Sequence, residues 1–185
     1  MDGNIYRCTV SPNVYIGKST LSEYGVFAAK DFKKGEVLYE NTAIIINVDE
    51  VPEEIILKTE RSEYKLHKIV HPVPLKDNLS ILYNYDSFYN HHCDPNTYCT
   101  LMEENDPTRF RCNAKKDIRK DEELTCNYNT FYYYDDAPFQ CNCGSANCFG
   151  NIGGFKALSV EQQKMLINDL EPYYFKIYNL DHLLK

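Results

Sequence analysis

The segment that decides the fold of this chain is Asn90-His91-His92-Cys93-Asp94-Pro95-Asn96. It holds two histidines, a cysteine and two asparagines between tyrosine-rich segments, and its Asp-Pro pair is typical of a turn. A surface loop has no need of these side chains, whereas thiolate, imidazole and amide groups bind metal ions and polar ligands. The heptapeptide (residues 90–96) therefore indicates either a hairpin loop with incidental histidines or one wall of a ligand site, and later segments favour the site.

Length, composition and charge narrow the class of protein. With 185 residues, of which 43% are hydrophobic and 14% aromatic, the chain can bury one core and is not disordered. Its 20 Lys and Arg against 27 Asp and Glu give a net charge of −7. This charge disfavours direct nucleic-acid binding and suits a basic protein or peptide as partner.

The sequence contains no pattern typical of export or membrane insertion. The longest apolar run, residues 43–46, is far too short to cross a bilayer, and the first residues lack the basic and then apolar pattern of a secretory signal. We therefore expect an intracellular protein, nuclear or cytoplasmic, without membrane contact. No pattern indicates an oligomeric state.

Short strand-like pieces separated by turn residues predict a mainly β protein with added helices, an α+β fold. Residues 1–48 alternate such pieces with turns, which indicates small antiparallel sheets rather than parallel units. Residues 98–102 and 109–114 flank a turn and predict a hairpin.

Three segments are predicted to be helical, and a fourth to be a short helix or a turn. Pro52 followed by acidic residues is typical of a first helical turn, so residues 52–70 should form a helix, and residues 79–88 a shorter helix or a turn. The capping box Ser159-Val160-Glu161-Gln162 predicts a helix from near residue 160. After Pro172, a further helix should run from about residue 173 to residue 184.

A cluster of cysteines predicts a metal site. Cys141-x-Cys143-x4-Cys148-x-Gly150 places three thiols on one tight loop, and eight cysteines without an export signal favour metal or free thiols over disulfides. Structural zinc takes four ligands in a tetrahedron, so a fourth is needed. Cys93 is the best candidate. The alternatives are His91, His92 and Cys126, or three thiols without a metal.

Three segments in order resemble the SET-domain protein lysine methyltransferases that carry a cysteine-rich post-SET loop. The heptapeptide matches Asn-His-Ser-Cys-x-Pro-Asn, with His92 in place of serine. Glu123-Leu124-Thr125-Cys126-Asn127-Tyr128 matches Glu-Leu-Thr-x-x-Tyr, with Asn127 where aspartate is usual. Residues 141–150 match Cys-x-Cys-x4-Cys-x-Gly. The resemblance covers roughly residues 12–155, and a weaker match is Glu23-Tyr24-Gly25-Val26, where the family has Gly-x-Gly.

The resemblance implies a fold and a domain division. The fold would consist of small curved sheets in which the heptapeptide and the tyrosine segment (residues 123–128) thread through one another as a pseudoknot. The SET domain would span residues 1–138, with a helical insert at about residues 52–88. A post-SET zinc loop would follow at residues 139–155, and a C-terminal helical extension at residues 156–185.

The resemblance also implies a binding site for S-adenosylmethionine. Its residues would be Asn90 and His91 through hydrogen bonds, Glu23 and Tyr24 through their backbone, and Ile152 against the adenine. Two departures from the family pattern bear on the affinity for this cofactor. Glu23 replaces a glycine, and Ser87 stands where many members have arginine.

Metal ligands and catalytic groups follow from the same resemblance. Structural zinc would be held by Cys93, Cys141, Cys143 and Cys148. Tyr128 would orient the nitrogen of a substrate lysine, which must arrive as the neutral amine. Cys126 lies where the family has the residue that controls how many methyl groups are added, and a small thiol without a hydroxyl favours multiple methylation.

The implied substrate is a basic protein or peptide, with a histone tail as the commonest choice of the family. A competing hypothesis is a zinc-stapled module that binds lysine peptides without turnover. The pair Asn90-His91 together with Tyr128 discriminates against it, because a pure binding module needs neither. The negative net charge disfavours a third hypothesis, a zinc-dependent nucleic-acid binder.

Overall fold

The computed structural model describes residues 5–50, 52–67, 71–72, 79–82, 84–103, 106, 108–134, 138–170 and 172–184. Its strands are β1 (Ile5–Arg7), β2 (Val14–Lys18), β3 (Tyr24–Ala28), β4 (Val37–Thr42), β5 (Ile44–Asn47), β6 (Glu54–Lys58), β7 (Glu63–His67), β8 (His71–Pro72), β9 (Leu79–Leu82), β10 (Asn90–His91), β11 (Thr97–Leu101), β12 (Arg109–Ala114), β13 (Glu123–Cys126), β14 (Phe139–Gln140) and β15 (Asn151–Ile152). Its α-helices are α1 (Val160–Leu166) and α2 (Pro172–Tyr178). Shorter 3-10 helices lie at Val48–Glu50, Asn84–Phe88, Tyr128–Thr130, Phe155–Ala157, Ile167–Asp169 and Asp181–Leu184.

The strands form small separate sheets. Their strand orders are β10-β13-β3-β2, β11-β12-β4, β1-β6-β7, β5-β9-β8 and β14-β15. The prediction of a mainly β fold built from small sheets is confirmed, and so is the hairpin, which β11 and β12 form as an antiparallel pair.

One sheet brings distant segments together. In β10, Asn90 pairs with Thr125 of β13 and His91 pairs with Cys126, and the two strands run parallel. On its other side β13 pairs antiparallel with β3. The heptapeptide, the tyrosine segment and the strand that follows Glu23 therefore lie side by side.

Buried hydrogen bonds tie the heptapeptide to the tyrosine segment. The Oδ1 atom of Asn96 accepts from the backbone N–H of Thr125 at 2.9 Å, and its Nδ2 donates to the carbonyl of Glu123 at 2.8 Å. The N–H of His92 donates to the carbonyl of Cys126 at 2.9 Å. Because Asn96 is buried, both ends of its amide need these partners, and the two segments are held in register.

Two hydrophobic cores support the sheets. The larger core is built from residues between Val14 and Cys126 and includes the fully buried side chains Val26, Leu38 and Leu124. The second core joins the C-terminal helices to Tyr133 and Phe155. The C-terminal extension (residues 156–184 as described) thus packs on the segment that follows Tyr128.

The predicted helix at residues 52–70 is wrong, and with it the helical nature of the insert. β6 and β7 form an antiparallel hairpin in which Glu54 pairs with His67. Ile55 and Leu57 are buried while their neighbours in β6 are half-exposed, which is the two-residue period of a strand. The adjacent β-branched residues Ile55 and Ile56 favour this strand, and pairing with β7 overrides the helix-start signal at Pro52.

The rest of the predicted insert is also largely strand where it is described. The predicted helix or turn at residues 79–88 is β9 followed by the 3-10 helix Asn84–Phe88. Residues 68–70, 73–78 and 83 lie outside the described residues.

The predicted C-terminal helices are confirmed. Ser159 caps α1, since its Oγ accepts from the N–H of Gln162 at 3.3 Å while Oε1 of Gln162 accepts from the N–H of Ser159 at 2.9 Å. The second helix, α2, begins at Pro172 and is shorter than predicted, ending at Tyr178. No helix among the described residues is both long and apolar enough to cross a membrane.

Candidate functional site

Asn90 is fixed where β3, β10 and β13 meet. Its Nδ2 atom lies 2.9 Å from the carbonyl oxygen of Tyr24, 2.6 Å from Oε1 of Glu123 and 3.2 Å from Oγ of Ser19. These acceptors take up the hydrogens of the amide NH₂ group. The carbonyl end of the Asn90 side chain is therefore the end that can accept a hydrogen bond from a ligand.

Glu123 and Ser19 build the support behind Asn90. The Oγ atom of Ser19 lies 2.8 Å from each carboxylate oxygen of Glu123. Gly25 permits this packing, because a Cβ atom at that position would lie 2.3 Å from Oε1 of Glu123. Sequence analysis names Glu123 within the tyrosine segment but misses its role behind Asn90, and it misses Ser19, which lies 104 residues from Glu123 and belongs to no local pattern.

The predicted backbone contacts at residues 23–24 lie at the surface beside Asn90. Glu23 is exposed, and its carboxylate lies 3.7 Å from Nζ of Lys18. The non-glycine residues with positive φ among those described do not include Glu23, so a glycine is not needed there for backbone conformation. Ser87, at the position where the family pattern has arginine, has a buried Oγ without a hydrogen-bond partner among the described residues.

His91 bonds to two parts of the site at once. The backbone N–H of Tyr128 donates to Nδ1 of His91 at 3.1 Å, so Nδ1 is an acceptor and the neutral ring carries its proton on Nε2. Nε2 lies 3.2 Å from Sγ of Cys93. Burial, with a smaller contribution from His92, lowers the pKa of His91 to about 4. The neutral imidazole thus connects Cys93 to Tyr128.

Four cysteine side chains converge beside His91. They are Cys93, Cys141, Cys143 and Cys148, whose sulfur atoms all lie within 4.8 Å of one another. Sγ of Cys93 lies 3.7 Å from that of Cys141 and 3.9 Å from that of Cys148. A tetrahedral zinc ion with Zn–S bonds of about 2.3 Å requires S···S edges of about 3.8 Å. The thiols are unlinked, and their spacing fits a tetrahedral cation rather than disulfides.

The surroundings of the sulfur atoms suit thiolates that bind a cation. Backbone N–H groups of Phe149 and Gly150 donate to the sulfur atoms of Cys93 and Cys148 at 3.3 and 3.4 Å. Burial raises the pKa of Cys93, and it raises that of Cys141 to about 11. These two thiols therefore need a nearby positive charge to ionise at neutral pH.

The remaining candidate ligands lie outside this cluster. Nδ1 of His92 lies 2.7 Å from the carbonyl oxygen of Asp94. Cys126 ends β13 with a buried side chain, and burial raises the pKa of its thiol, so it stays neutral. Of the alternatives for the fourth position, the geometry favours Cys93.

Tyr128 begins the 3-10 turn Tyr128–Thr130, which follows β13 after the capping residue Asn127. Its hydroxyl donates to the carbonyl oxygen of Tyr89 at 2.7 Å. Burial, followed by the nearby Cys126 and Glu123, raises the pKa of Tyr128 above its ordinary value of 10.0. The hydroxyl is therefore protonated at neutral pH, and its oxygen lone pairs can accept from a ligand.

Phe139 completes an aromatic surface that sequence analysis missed. Its ring centroid lies 5.8 Å from that of His91 and 6.1 Å from that of Tyr128, and its side chain is 38% exposed. Its strand partner Ile152 is 0% exposed and packs against Cys93 and Cys141. Phe139 is therefore the exposed member of this pair and Ile152 the buried one. The only signal in the sequence is an aromatic residue just before the cysteine motif.

Comparisons with known proteins identify chains that are similar to this one. The family model described as the SET domain matches residues 23–129. The histone-lysine N-methyltransferase, H3 lysine-36 specific, of Gibberella zeae is 30% identical over 148 residues, covering 77% of this chain and 15% of that protein. The protein of the same description from Candida albicans is 29% identical over 147 residues, covering 76% and 17%. The chain thus spans less than a fifth of the length of these relatives.

A solved structure shares the fold. KRYPTONITE, crystallised in complex with mCHH DNA, an H3(1-15) peptide and SAH, aligns with a TM-score of 0.52. The sequence identity is 18%, and the match covers 76% of this chain and 29% of that one.

Proposed function

The chain belongs to the SET-domain family, and on that premise we propose that it is a protein-lysine methyltransferase that uses S-adenosylmethionine. One observation carries the proposal: Asn90, His91 and Tyr128 converge, each fixed by hydrogen bonds, beside the four-cysteine cluster. Because relatives are named histone-lysine methyltransferases, a histone tail is the substrate class to test first. A histone substrate would require a nuclear location.

The cofactor site would lie around Asn90. When bound, S-adenosylmethionine supplies a methyl group on a positively charged sulfur. Oδ1 of Asn90 would accept from its ammonium group, next to the backbone of Glu23 and Tyr24. Both ring nitrogens of His91 are bonded within the protein, so His91 would bind through its backbone. Ile152 and its exposed strand neighbour Phe139 would together pack on the adenine.

Tyr128 would act by orientation rather than as a base. Its hydroxyl proton is directed to the carbonyl of Tyr89, so its oxygen can accept an N–H of the substrate amine and aim the nitrogen lone pair. A free lysine has a pKa of about 10.4, and a dry channel beside a positive sulfur favours its neutral form. Transfer then needs alignment and little proton chemistry from the protein.

The four cysteines would hold one structural zinc ion. With all four positions filled by thiolates, the ion has no open position for a substrate and would act by fixing the loop. We assign residues 139–155 to this post-SET zinc loop, residues 1–138 to the SET domain and residues 156–185 to the C-terminal extension. The family match to residues 23–129 supports the central part of this division.

Asn90→Ala should weaken cofactor binding by about fivefold to a hundredfold, because the buried polar groups it serves would lose a partner worth about 1–3 kcal/mol. The dissociation constant of S-adenosylmethionine, measured by calorimetry, checks this. Asn47→Ala, which removes an exposed asparagine of β5, is the matched control and should bind like the parent. An unchanged affinity in Asn90→Ala would remove Asn90 from the cofactor site.

Cys126 should leave room for more than one methyl group on the substrate nitrogen. Its side chain is buried, small and neutral, so it offers no hydroxyl that would hold a water molecule in the channel. We expect the parent to give dimethylated or trimethylated lysine and Cys126→Tyr to shift the products towards monomethylation. Mass spectrometry of the product peptide measures the distribution, and monomethylation alone by the parent would contradict the assignment.

The direct test of the function is a methylation assay with labelled S-adenosylmethionine on whole histones, nucleosomes and a panel of basic peptides. Incorporation of label into lysine would support the proposal. Bound cofactor without transfer to any of these substrates, or to proteins of a cell extract, would favour a lysine-peptide binding module instead.

A further inference from the structure

The C-terminal extension contacts the chain immediately after Tyr128. Three consecutive carbonyls, those of Phe131, Tyr132 and Tyr133, accept hydrogen bonds from it or from the residue before it. The hydroxyl of Tyr174 donates to the first at 2.5 Å, and the backbone N–H groups of Phe155 and Lys156 donate to the other two at 2.8 and 2.9 Å. Residues 131–133, which follow the turn at Tyr128, are thus each held by a hydrogen bond to their carbonyl oxygen.

Of these three donors, only the hydroxyl of Tyr174 belongs to a side chain. Its acceptor residue, Phe131, ends the 3-10 turn that begins at Tyr128. The backbone N–H of Phe131 donates to the carbonyl of Tyr128 at 3.1 Å. Because Tyr174 bonds the carbonyl of the same residue, its hydroxyl restrains the peptide that ends this turn. The position of the Tyr128 ring depends on that backbone.

Aromatic packing holds Tyr174 in place independently of its hydroxyl. Tyr174 is buried on α2, and its ring lies 5.6 Å from that of Tyr178 on the same helix. The ring of Tyr178 stacks on Tyr133 at 3.6 Å, with only 5° between the planes. A phenylalanine at position 174 would therefore keep the packing and lose the hydrogen bond to Phe131.

A second contact fixes the extension to the other wall of the site. Nζ of Lys115 lies 2.5 Å from a carboxylate oxygen of Asp169, and both side chains are largely shielded from solvent. The backbone N–H of Lys115 donates to the carbonyl of Asn96 in the heptapeptide at 2.8 Å. The extension is thus linked to the heptapeptide through Lys115 and to the residues that follow Tyr128.

We propose that Tyr174 is a positioning residue for Tyr128, so that the C-terminal extension is a working part of the methyl-transfer site. The proposal rests on the proposed function of Tyr128. Loss of the Tyr174 hydroxyl loosens the turn at residues 128–131 and spreads the orientations of the Tyr128 hydroxyl. It leaves the cofactor pocket around Asn90 and the four-cysteine cluster unchanged.

The test compares Tyr174→Phe with the parent and with Tyr178→Phe, which removes a hydroxyl from the same helix and keeps the stack on Tyr133. For Tyr174→Phe we expect kcat to fall about threefold to tenfold, the factor typical of one neutral hydrogen bond. The KM for peptide and the dissociation constant of the cofactor should stay within about twofold. Tyr178→Phe should match the parent in all three quantities.

A double mutant separates positioning from general weakening. In a Tyr128→Phe background, Tyr174→Phe should cause no further loss of kcat, because the hydroxyl that it positions is gone. Equal losses in both backgrounds would overturn the proposal, as would a kcat for Tyr174→Phe equal to the parent's.

Hydrogen exchange decides the point even if the parent transfers no methyl group. Amides in the peptide that covers residues 128–134 should exchange faster in Tyr174→Phe than in the parent or in Tyr178→Phe. An inactive parent with this pattern would refute the proposed function and retain the positioning of the turn. Unchanged exchange in Tyr174→Phe would refute the positioning itself.

Discussion

Tyr128→Phe should lower kcat at least tenfold while zinc content, thermal stability and cofactor affinity stay near those of the parent. The substitution removes one hydroxyl, the group that donates to Tyr89 at 2.7 Å, and changes almost no volume. Positioning and hydrogen bonding at a reacting atom contribute factors of about 10²–10⁴, so a tenfold loss is a lower bound. Steady-state kinetics with a histone or peptide that the parent methylates measures this loss of kcat.

The matched control is Tyr15→Phe. Tyr15 also donates its hydroxyl to a side chain, Oδ1 of Asp121 at 3.1 Å, but this hydrogen bond is exposed to solvent and joins none of the residues of the proposed site. Tyr15→Phe should leave kcat unchanged. Equal rates for Tyr128→Phe and the parent would remove Tyr128 from the mechanism.

The pH profile distinguishes orientation from base catalysis. Below the lysine pKa of about 10.4, the neutral amine increases about tenfold per pH unit, so kcat/KM should rise with pH until another group titrates. Burial raises the pKa of Tyr128 above 10.0, so its hydroxyl remains protonated through this range. Tyr128→Phe should therefore lower the whole profile and keep its slope. A changed slope would indicate that Tyr128 takes the proton.

Removal of the metal should have the second large effect. The freshly purified parent should carry about one zinc equivalent, and Cys148→Ser or a strong chelator should release it. Structural zinc contributes about 10–16 kcal/mol of apparent binding free energy in small zinc-finger peptides, so residues after 138 should lose their order. Since Phe139 and Ile152 belong to that part, cofactor affinity should fall at least tenfold.

Cys8→Ser is the control for the metal experiment, because Cys8 is a free thiol of the N-terminal region outside the cluster. It should keep its zinc and its cofactor affinity. The main fold should survive in Cys148→Ser, since the larger core does not include the cysteine loop. Well under one zinc equivalent in unchelated parent protein would refute the assignment.

Much of the site could be predicted because it lies in short ordered motifs. The heptapeptide, the tyrosine segment and the cysteine loop each carry chemistry in consecutive residues, and the structure brings all three together. The contact between Ser19 and Glu123 could not be found in this way, because it depends on β3 and β13 lying side by side. The role of Phe139 likewise depends on its pairing with Ile152, which turns its ring towards His91.

The wrong helix has a different cause. The sequence around Ile55-Ile56-Leu57 is apolar with charges on either side, which suits a helix face and a strand almost equally over so few residues. Pro52 and its acidic neighbours add the pattern of a first helical turn, which favours the helix. The strand is decided by the pairing of β6 with β7, and the propensities of residues 52–58 alone do not reveal that pairing.

The parallel pairing of β10 with β13 has a consequence for how the protein is made. The partner of Asn90, Glu123, is synthesised 33 residues later, and Cys148, a partner of Cys93, is synthesised 55 residues later. Neither contact can form before then. Such long loops are closed at an entropic cost before their contacts form, which makes folding slow. During synthesis at about 5–20 residues per second, the heptapeptide is thus exposed for several seconds with its thiol and its strand edge unpaired.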